Sequence, residues 1–261
     1  MLTMSSTTSS KGTAAIVGVG PKLGRSIARK FAHEGYTVAI LARDLERISM
    51  FAEEIAREEK AQVFAIRIDC ADQKSIKEAF EGVLSLGSVD VLVYNAAYQP
   101  FPLHPSSFTE IPVNSFERSF AISTVGAFQC AQQVLPGMVE RARGTILFTG
   151  CSASLSGMAG FSELCCAKFA LRGLSQCLAR EFQPLGVHIA HVIIDGLVGA
   201  PRVVPSMMLR LPVGEQQSGG GTDGLMDPDA LAQTYWHLHL QDRSAWTQEI
   251  DLHPSTPFRF F

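Results

Sequence analysis

The chain has 261 residues, 46% of them hydrophobic and 18% charged, and a formal net charge of −3. A chain of this length buries roughly three-quarters of its unfolded surface. Its slightly acidic balance excludes a broad phosphate-binding face, which needs clustered Lys and Arg. No apolar run reaches the roughly eighteen residues of a membrane span, and the Ser/Thr-rich residues 1–10 lack the apolar stretch of a secretory leader. The expectation is a cytoplasmic protein that binds neither nucleic acid nor membrane. Six cysteines (70, 130, 151, 165, 166 and 177) form no C-x-x-C pair, and no His spacing completes a metal site, so free thiols and no metal are expected.

Residues 1–12 read as a flexible N-terminal segment. Residues 13–18 (TAAIVG) are a short apolar run, followed by a helical pattern carrying Leu23, Ile27 and Phe31. Residues 36–42 are apolar on both faces, as in a strand covered on both sides. A helix then presents Ile48, Phe51 and Ile55 at near 3.6 spacing. Residues 62–68 alternate as a strand, Ile76, Phe80 and Val83 share one helix face, and residues 89–94 are strand again. A long helix is expected over 116–139, a strand over 145–149, a helix over 161–182 and a strand over 187–194. A last helix covers 227–240 and a last strand 247–252. This alternation predicts an α/β fold, a Rossmann-like doubly wound parallel sheet of about seven strands with helices on both faces. Residues 13–261 read as one domain.

Two segments break the rhythm. Residues 98–114 carry four prolines after the fourth strand. Residues 196–226 hold an apolar piece, 203–211, with Met207 and Met208, and then the string GEQQSGGGTDG. Ligands of open α/β sheets bind beyond the carboxyl ends of the strands, and both segments leave such ends. The second is expected to be a substrate loop.

Gly18-Val19-Gly20-Pro21-Lys22-Leu23-Gly24 lies between the first strand and the first helix. Glycines there permit a tight turn and bring a pyrophosphate close to the amides of a helix N-terminus. With this loop in place, the chain resembles a short-chain dehydrogenase/reductase over nearly its full length. The family's T-G-x-x-x-G-x-G loop corresponds to residues 17–24, with Val17 in the Thr slot and Lys22 in the middle-glycine slot. Its adenine-side Asp corresponds to Asp69, and its N-N-A-G stretch to Tyr94-Asn95-Ala96-Ala97. Its usual P-G reads Asp195-Gly196. The resemblance implies that Gly18, Gly20, Lys22, Leu23, Gly24, Arg43, Asp69, Asn95, Lys168 and Gly196 bind a nicotinamide dinucleotide. The second strand ends Leu41-Ala42-Arg43-Asp44. Ala followed by Arg resembles the NADP-preferring pattern, with Arg43 on the 2′-phosphate, Lys22 or Arg25 adding charge, and Asp44 serving as a helix N-cap. NADP is therefore expected over NAD.

The resemblance also implies a catalytic set of Tyr, Lys, Ser and Asn. Lys168 fills the Lys slot, but four residues earlier stands Leu164, which cannot donate a proton. The more distant register holds Phe161. The Ser slot falls on Cys151, with Ser152 beside it and Ser154 in the following loop, and the Asn slot holds Ser123. Tyr98 and His104 are further candidate donors, whereas His188, His191 and the His237/His239 pair read as structural. Two functions follow from these residues. One is an NADP(H)-dependent oxidoreductase acting on an unidentified small, apolar carbonyl or alkene. The other is a catalytically silent NADP-binding sensor or scaffold. Relatives resemble dimers or tetramers packed through two long helices, so a homodimer or homotetramer is expected.

Overall fold

A computed structural model of the chain describes residues 10–98, 106–199 and 225–255. Seven parallel strands form one sheet: β1 (Thr13–Val17), β2 (Thr37–Ala42), β3 (Val63–Arg67), β4 (Val89–Tyr94), β5 (Gly144–Cys151), β6 (Val187–Ile194) and β9 (Glu249–Leu252). Their order, β3-β2-β1-β4-β5-β6-β9, places a reversal of winding between β1 and β4. β1 and β4 are buried at every position, which is why, apart from Thr13 and Asp90, their sequences are apolar on both faces rather than alternating.

Successive side chains of a strand point to opposite faces, and the two faces build two cores. Ile16, Val38, Ile40 and Leu147 pack with α1 (Leu23–His33), α2 (Leu45–Glu59) and α7 (Pro228–Leu240). Val17, Leu41, Tyr94 and Phe148 pack with α3 (Gln73–Ser85), α5 (Gly126–Glu140) and α6 (Ser162–Phe182). Between α1 and α7 the Phe31 ring meets Tyr36 and Trp236 edge-on, with centroids 5.6 and 5.4 Å away. Full burial of such a ring contributes about 1.5–3 kcal/mol.

The helix expected over 116–139 is interrupted. α4 (Val113–Phe120) passes into a π turn at Ala121–Val125 before α5 begins. The cause is a distant side chain: the Tyr94 hydroxyl donates to the Ile122 carbonyl and diverts it from the helical ladder. α4 also starts earlier than expected, so Asn114 is helical rather than loop.

Residues 10–12 are fastened to the start of β2, with Thr37 N donating to Gly12 O at 2.9 Å and to Ser10 Oγ at 3.0 Å. The ends of the long insert are joined by a ribbon, β7 (Leu197–Val198) paired with β8 (Leu225–Met226). Residues 203–211, Met207, Met208 and His104 lie outside the described residues. Among the described residues no helix is long and apolar enough to cross a membrane.

Candidate functional site

The reversal between β1 and β4 opens a crevice at the strand ends. Gly18 closes its floor. It adopts φ +87°, and a Cβ there would lie 2.3 Å from the Ala96 amide nitrogen. Asn95 locks the approach, its Nδ2 donating to Gly18 O at 2.9 Å while its amide donates to Val17 O at 2.8 Å. Gly24 packs under the same turn, where a Cβ would sit 2.9 Å from Gly18 O. Gly20 differs, because a Cβ on it would meet nothing within 4 Å. The missing side chains thus make a tight floor at Gly18 and Gly24 and an open mouth at Gly20. The first amide of α1 bonded back into the turn is that of Arg25, to Gly20 O at 3.2 Å. Leu23 and Gly24 stand ahead of it, at the positive end of the helix dipole.

The cations of this region divide. Lys22 turns across the crevice and donates from Nζ to Val198 O at 2.7 Å. Arg25 is buried under Phe51 and paired with Glu54 at 2.8 Å, so it adds no charge to the crevice. Arg43 is exposed at the end of β2 and lines an open cavity of about 420 Å³ together with Tyr98, Asn114, Ser115 and Arg118. Asp44 accepts from Arg47 N at 3.1 Å, the helix-capping role its position implies. Asp69 accepts from Ala71 N at 3.0 Å at the end of β3. Gly196 is packed against Met226 and Pro254 at the start of the long insert.

At the end of β5, Cys151 and Ser152 are both half-buried, and Ser152–Ser154 form a 3₁₀ turn. The buried Ser154 accepts from Cys151 N at 3.4 Å, holding that turn against the strand. Lys168 projects from α6 toward the same strand. Only 5% exposed, it donates from Nζ to Thr149 O at 2.8 Å. Burial pushes its ammonium below the usual lysine range, with the neighbouring Cys151 opposing that shift. Leu164 stands one turn earlier and Phe161 at the helix start, both half-buried.

Ser123 is fully buried in the π turn and accepts from Tyr98 N at 3.3 Å. Its neighbour Thr124 donates to Ala167 O at 2.9 Å, fixing that turn against α6 beside Lys168. Tyr98 joins α4 through a 3.3 Å contact with Ser115 Oγ. The four histidines expected to be structural have local partners: His188 stacks on Trp246, His191 meets Glu249, His239 meets Tyr36 and Thr145, and His237 meets Gln233.

Arg118, Asn114 and Ser115 were not singled out by sequence reasoning. No motif marks them, because they reach Arg43 only through the packing of α4 beyond the sheet. All six cysteines are unpaired; Cys70, Cys130 and Cys165 are buried, whereas Cys166 and Cys177 are exposed. Among the described residues no group of three His, Cys, Asp or Glu converges on a point.

Strand order, the reversal at β1 and β4, and the glycine turn above it define a doubly wound α/β protein with its ligand crevice at the strand tips. The chain belongs to the short-chain dehydrogenase family, a family of oxidoreductases, whose model matches residues 12–202. The 3-ketodihydrosphingosine reductase of Bos taurus is 29% identical over 182 residues, which are 67% of this chain and 53% of that protein. The match thus spans about half of the bovine protein's length. A Xanthobacter autotrophicus protein named inactive 2-(S)-hydroxypropyl-CoM dehydrogenase 2 is 30% identical over 175 residues, 67% of this chain and 72% of its own. The crystal structure of a short-chain dehydrogenase from Rhodopseudomonas palustris superposes with a TM-score of 0.76 at 27% identity, covering 93% of this chain and 98% of that one.

Proposed function

We propose that this protein is a cytoplasmic, NADP(H)-dependent oxidoreductase that moves a hydride to or from a small, apolar carbonyl or alkene. The observation that carries the reading is Lys168. Its ammonium is buried at the strand ends, yet among the described residues its one hydrogen bond goes to Thr149 O. A buried lysine has three N–H groups to satisfy, and the hydroxyls of a nicotinamide ribose suit the other two.

The glycine turn fits the same ligand. Gly18, Gly20, Leu23 and Gly24 offer backbone and an open mouth to the diphosphate, with Lys22 beside them. Asp69 and Asn95 stand at the adenine and crevice ends, Gly196 opposite, and Arg43 at the 2′-phosphate. A bound nicotinamide coenzyme supplies the hydride. Residues 13–261 act as one dinucleotide-binding unit, with 196–226 as substrate loop. Leu164 and Phe161 give an apolar wall beside Lys168, which suits an apolar substrate. Six unpaired thiols suit a reducing compartment.

Leu164 stands where the family resemblance puts a tyrosine, so the proton comes from another group. Ser152 and Cys151 carry exchangeable protons at the strand end, and Ser123 can hold a water. Leu164 also favours a second reading, a silent NADP-binding sensor or scaffold, in keeping with the name of the Xanthobacter relative. Titration with NADPH and NADH, followed by NADPH oxidation at 340 nm over aldehydes, ketones and enones, separates the two. The expected result is tighter binding of NADPH than NADH, a preference reduced in Arg43→Ala, with turnover of one carbonyl or alkene class that rises in Leu164→Tyr. Absence of coenzyme binding overturns both readings. Binding without turnover, even in Leu164→Tyr, selects the silent module.

Self-association is part of the proposal. Val125, Phe128 and Phe169 are 46%, 44% and 41% exposed around α5 and α6, apolar side chains that an association of the two helices with a second copy would cover. Light scattering over a concentration series is expected to give a dimer or tetramer, and Phe128→Asp with Phe169→Asp a monomer. A persistent wild-type monomer refutes the association.

A further inference from the structure

Resting on the coenzyme reading above, we infer that Arg118 is a second cation for the coenzyme's 2′-phosphate, facing Arg43 across the cavity between the end of β2 and α4. The cavity of about 420 Å³ is lined by Arg43, Tyr98, Asn114, Ser115 and Arg118. Among the described residues that lining holds two guanidinium groups, an amide and two hydroxyls, and no carboxylate.

Arg25 is neutralised by Glu54, Arg29 by Asp229 and Arg172 by Glu249, all within 2.8 Å. Arg57 and Arg67 are exposed with no ion pair among the described residues, so it is the shared cavity that sets Arg43 and Arg118 apart. The guanidinium groups of Arg43 and Arg118 have no ion pair or hydrogen bond among the described residues, although both side chains are exposed and long enough to find one. Glu117, next to Arg118 on the helix, forms no ion pair with it among the described residues, since adjacent helical side chains do not face each other, and the acids after β2 and β3 are committed elsewhere. Asp44 caps α2, with its other oxygen 3.6 Å from Arg47, and Asp69 takes the Ala71 amide.

Two like charges on one cavity repel until an anion enters. A phosphate monoester meets the requirement well. It carries close to two negative charges and accepts the paired N–H groups of a guanidinium side by side. The two arginines come from different elements, so a phosphate between them also ties α4 to the end of β2. The Tyr98–Ser115 contact at 3.3 Å already holds the loop after β4 against α4 on the same wall.

The position selects which phosphate. With the diphosphate over Gly20 at the end of β1, the adenosine lies toward the neighbouring strand β2, which is followed directly by Arg43 and then by the capping Asp44. A group added to its ribose reaches the cavity, and a coenzyme without that group leaves both charges unpaired. Preference for NADP then rests on two elements rather than on the end of β2 alone.

The test is calorimetric titration of wild type, Arg118→Ala and Arg118→Glu with NADPH, NADH, 2′,5′-ADP, 5′-AMP and inorganic phosphate, at about 0.15 M salt, where surface charge is screened beyond roughly 8 Å. Loss of one charge-assisted contact is expected to weaken NADPH and 2′,5′-ADP roughly tenfold or more. NADH and 5′-AMP are expected to stay within about twofold, and the charge reversal to weaken NADPH further. Circular dichroism and melting of both variants check that the exposed substitution leaves the fold intact.

Equal weakening of NADPH and NADH, or no change in either, overturns the assignment while leaving the coenzyme reading in place. Wild type that binds inorganic phosphate as tightly as 2′,5′-ADP overturns it too, as a general anion pocket. Wild type that binds neither coenzyme refutes the coenzyme reading and this inference with it.

Discussion

Gly18→Ala is expected to destabilise the protein by about 2–5 kcal/mol, the sum of a left-handed backbone imposed on alanine and an overpacked contact, and to abolish coenzyme binding. The new methyl would lie 2.3 Å from Ala96 N and 2.5 Å from Ala96 Cα. Both are backbone atoms, so no side chain can rotate away, and β1 must move from β4. That movement also breaks the bond from Asn95 Nδ2 to Gly18 O. Gly20→Ala is the informative partner. Its methyl meets nothing within 4 Å, so the melting temperature is expected to match wild type. If the diphosphate occupies that open space, NADPH affinity nevertheless falls. The pair therefore separates fold from binding, with Tm reading one and a fluorescence titration reading the other. Unchanged NADPH affinity in Gly20→Ala would place the ligand away from this turn.

Much of the architecture was legible along the chain because central parallel strands are buried on both faces and so appear as unbroken apolar runs. Residues 13–17, 89–94 and 187–194 are buried at every position, and only Thr13, Asp90, His188 and His191 interrupt their apolar sequence. Asp44 was readable as a cap because capping depends on near neighbours, and its partner is Arg47 N. The break in the 116–139 helix was not readable. It arises where Tyr94, from a distant strand, donates to Ile122 O, and nothing in the local periodicity records that contact. The crevice divides along the same line. The glycine turn and Lys168 follow from short spacings. The charges around the turn do not: sequence counts Lys22 and Arg25 as equivalent, whereas tertiary packing gives one to Val198 O and the other to Glu54. Arg118 has no signature at all, since only the lie of α4 brings it to the cavity with Arg43.

Acidification from pH 7 to pH 5 is expected to lower the unfolding free energy by about 4 kcal/mol through two histidines, each held near pKa 4 against an unfolded value of about 6.5. His191 is 1% exposed. Burial pushes its imidazole down to about 4, outweighing the pull of Glu249 on Nδ1, with Lys168 and Arg172 adding to the downward push. The geometry agrees. Nε2 is buried with no partner among the described residues, so a proton placed there would point at no acceptor. His239 is likewise driven down to about 4 by burial, with Arg143 and His188 contributing. Its ring sits among Phe31, Tyr36 and Trp236, with Tyr36 OH at 2.7 Å and Thr145 Oγ1 at 2.9 Å.

The sign follows from proton counting. Between about pH 4 and 6.5 the unfolded chain binds protons that the native state refuses, so stability rises with pH across that window. It is full above the unfolded value and gone below the folded one. Each histidine supplies about 2 kcal/mol of the change at pH 5. Urea midpoints measured from pH 5 to 7.5 are expected to climb and then flatten near pH 7. His191→Leu, which keeps the paired contacts of Arg172 with Glu249 at 2.7 Å, is expected to remove about half of the slope. His239→Phe is expected to remove most of the remainder. A midpoint constant between pH 5 and 7, or a His191→Leu variant with the wild-type slope, would show that the buried imidazoles do not set the acid limit of the fold.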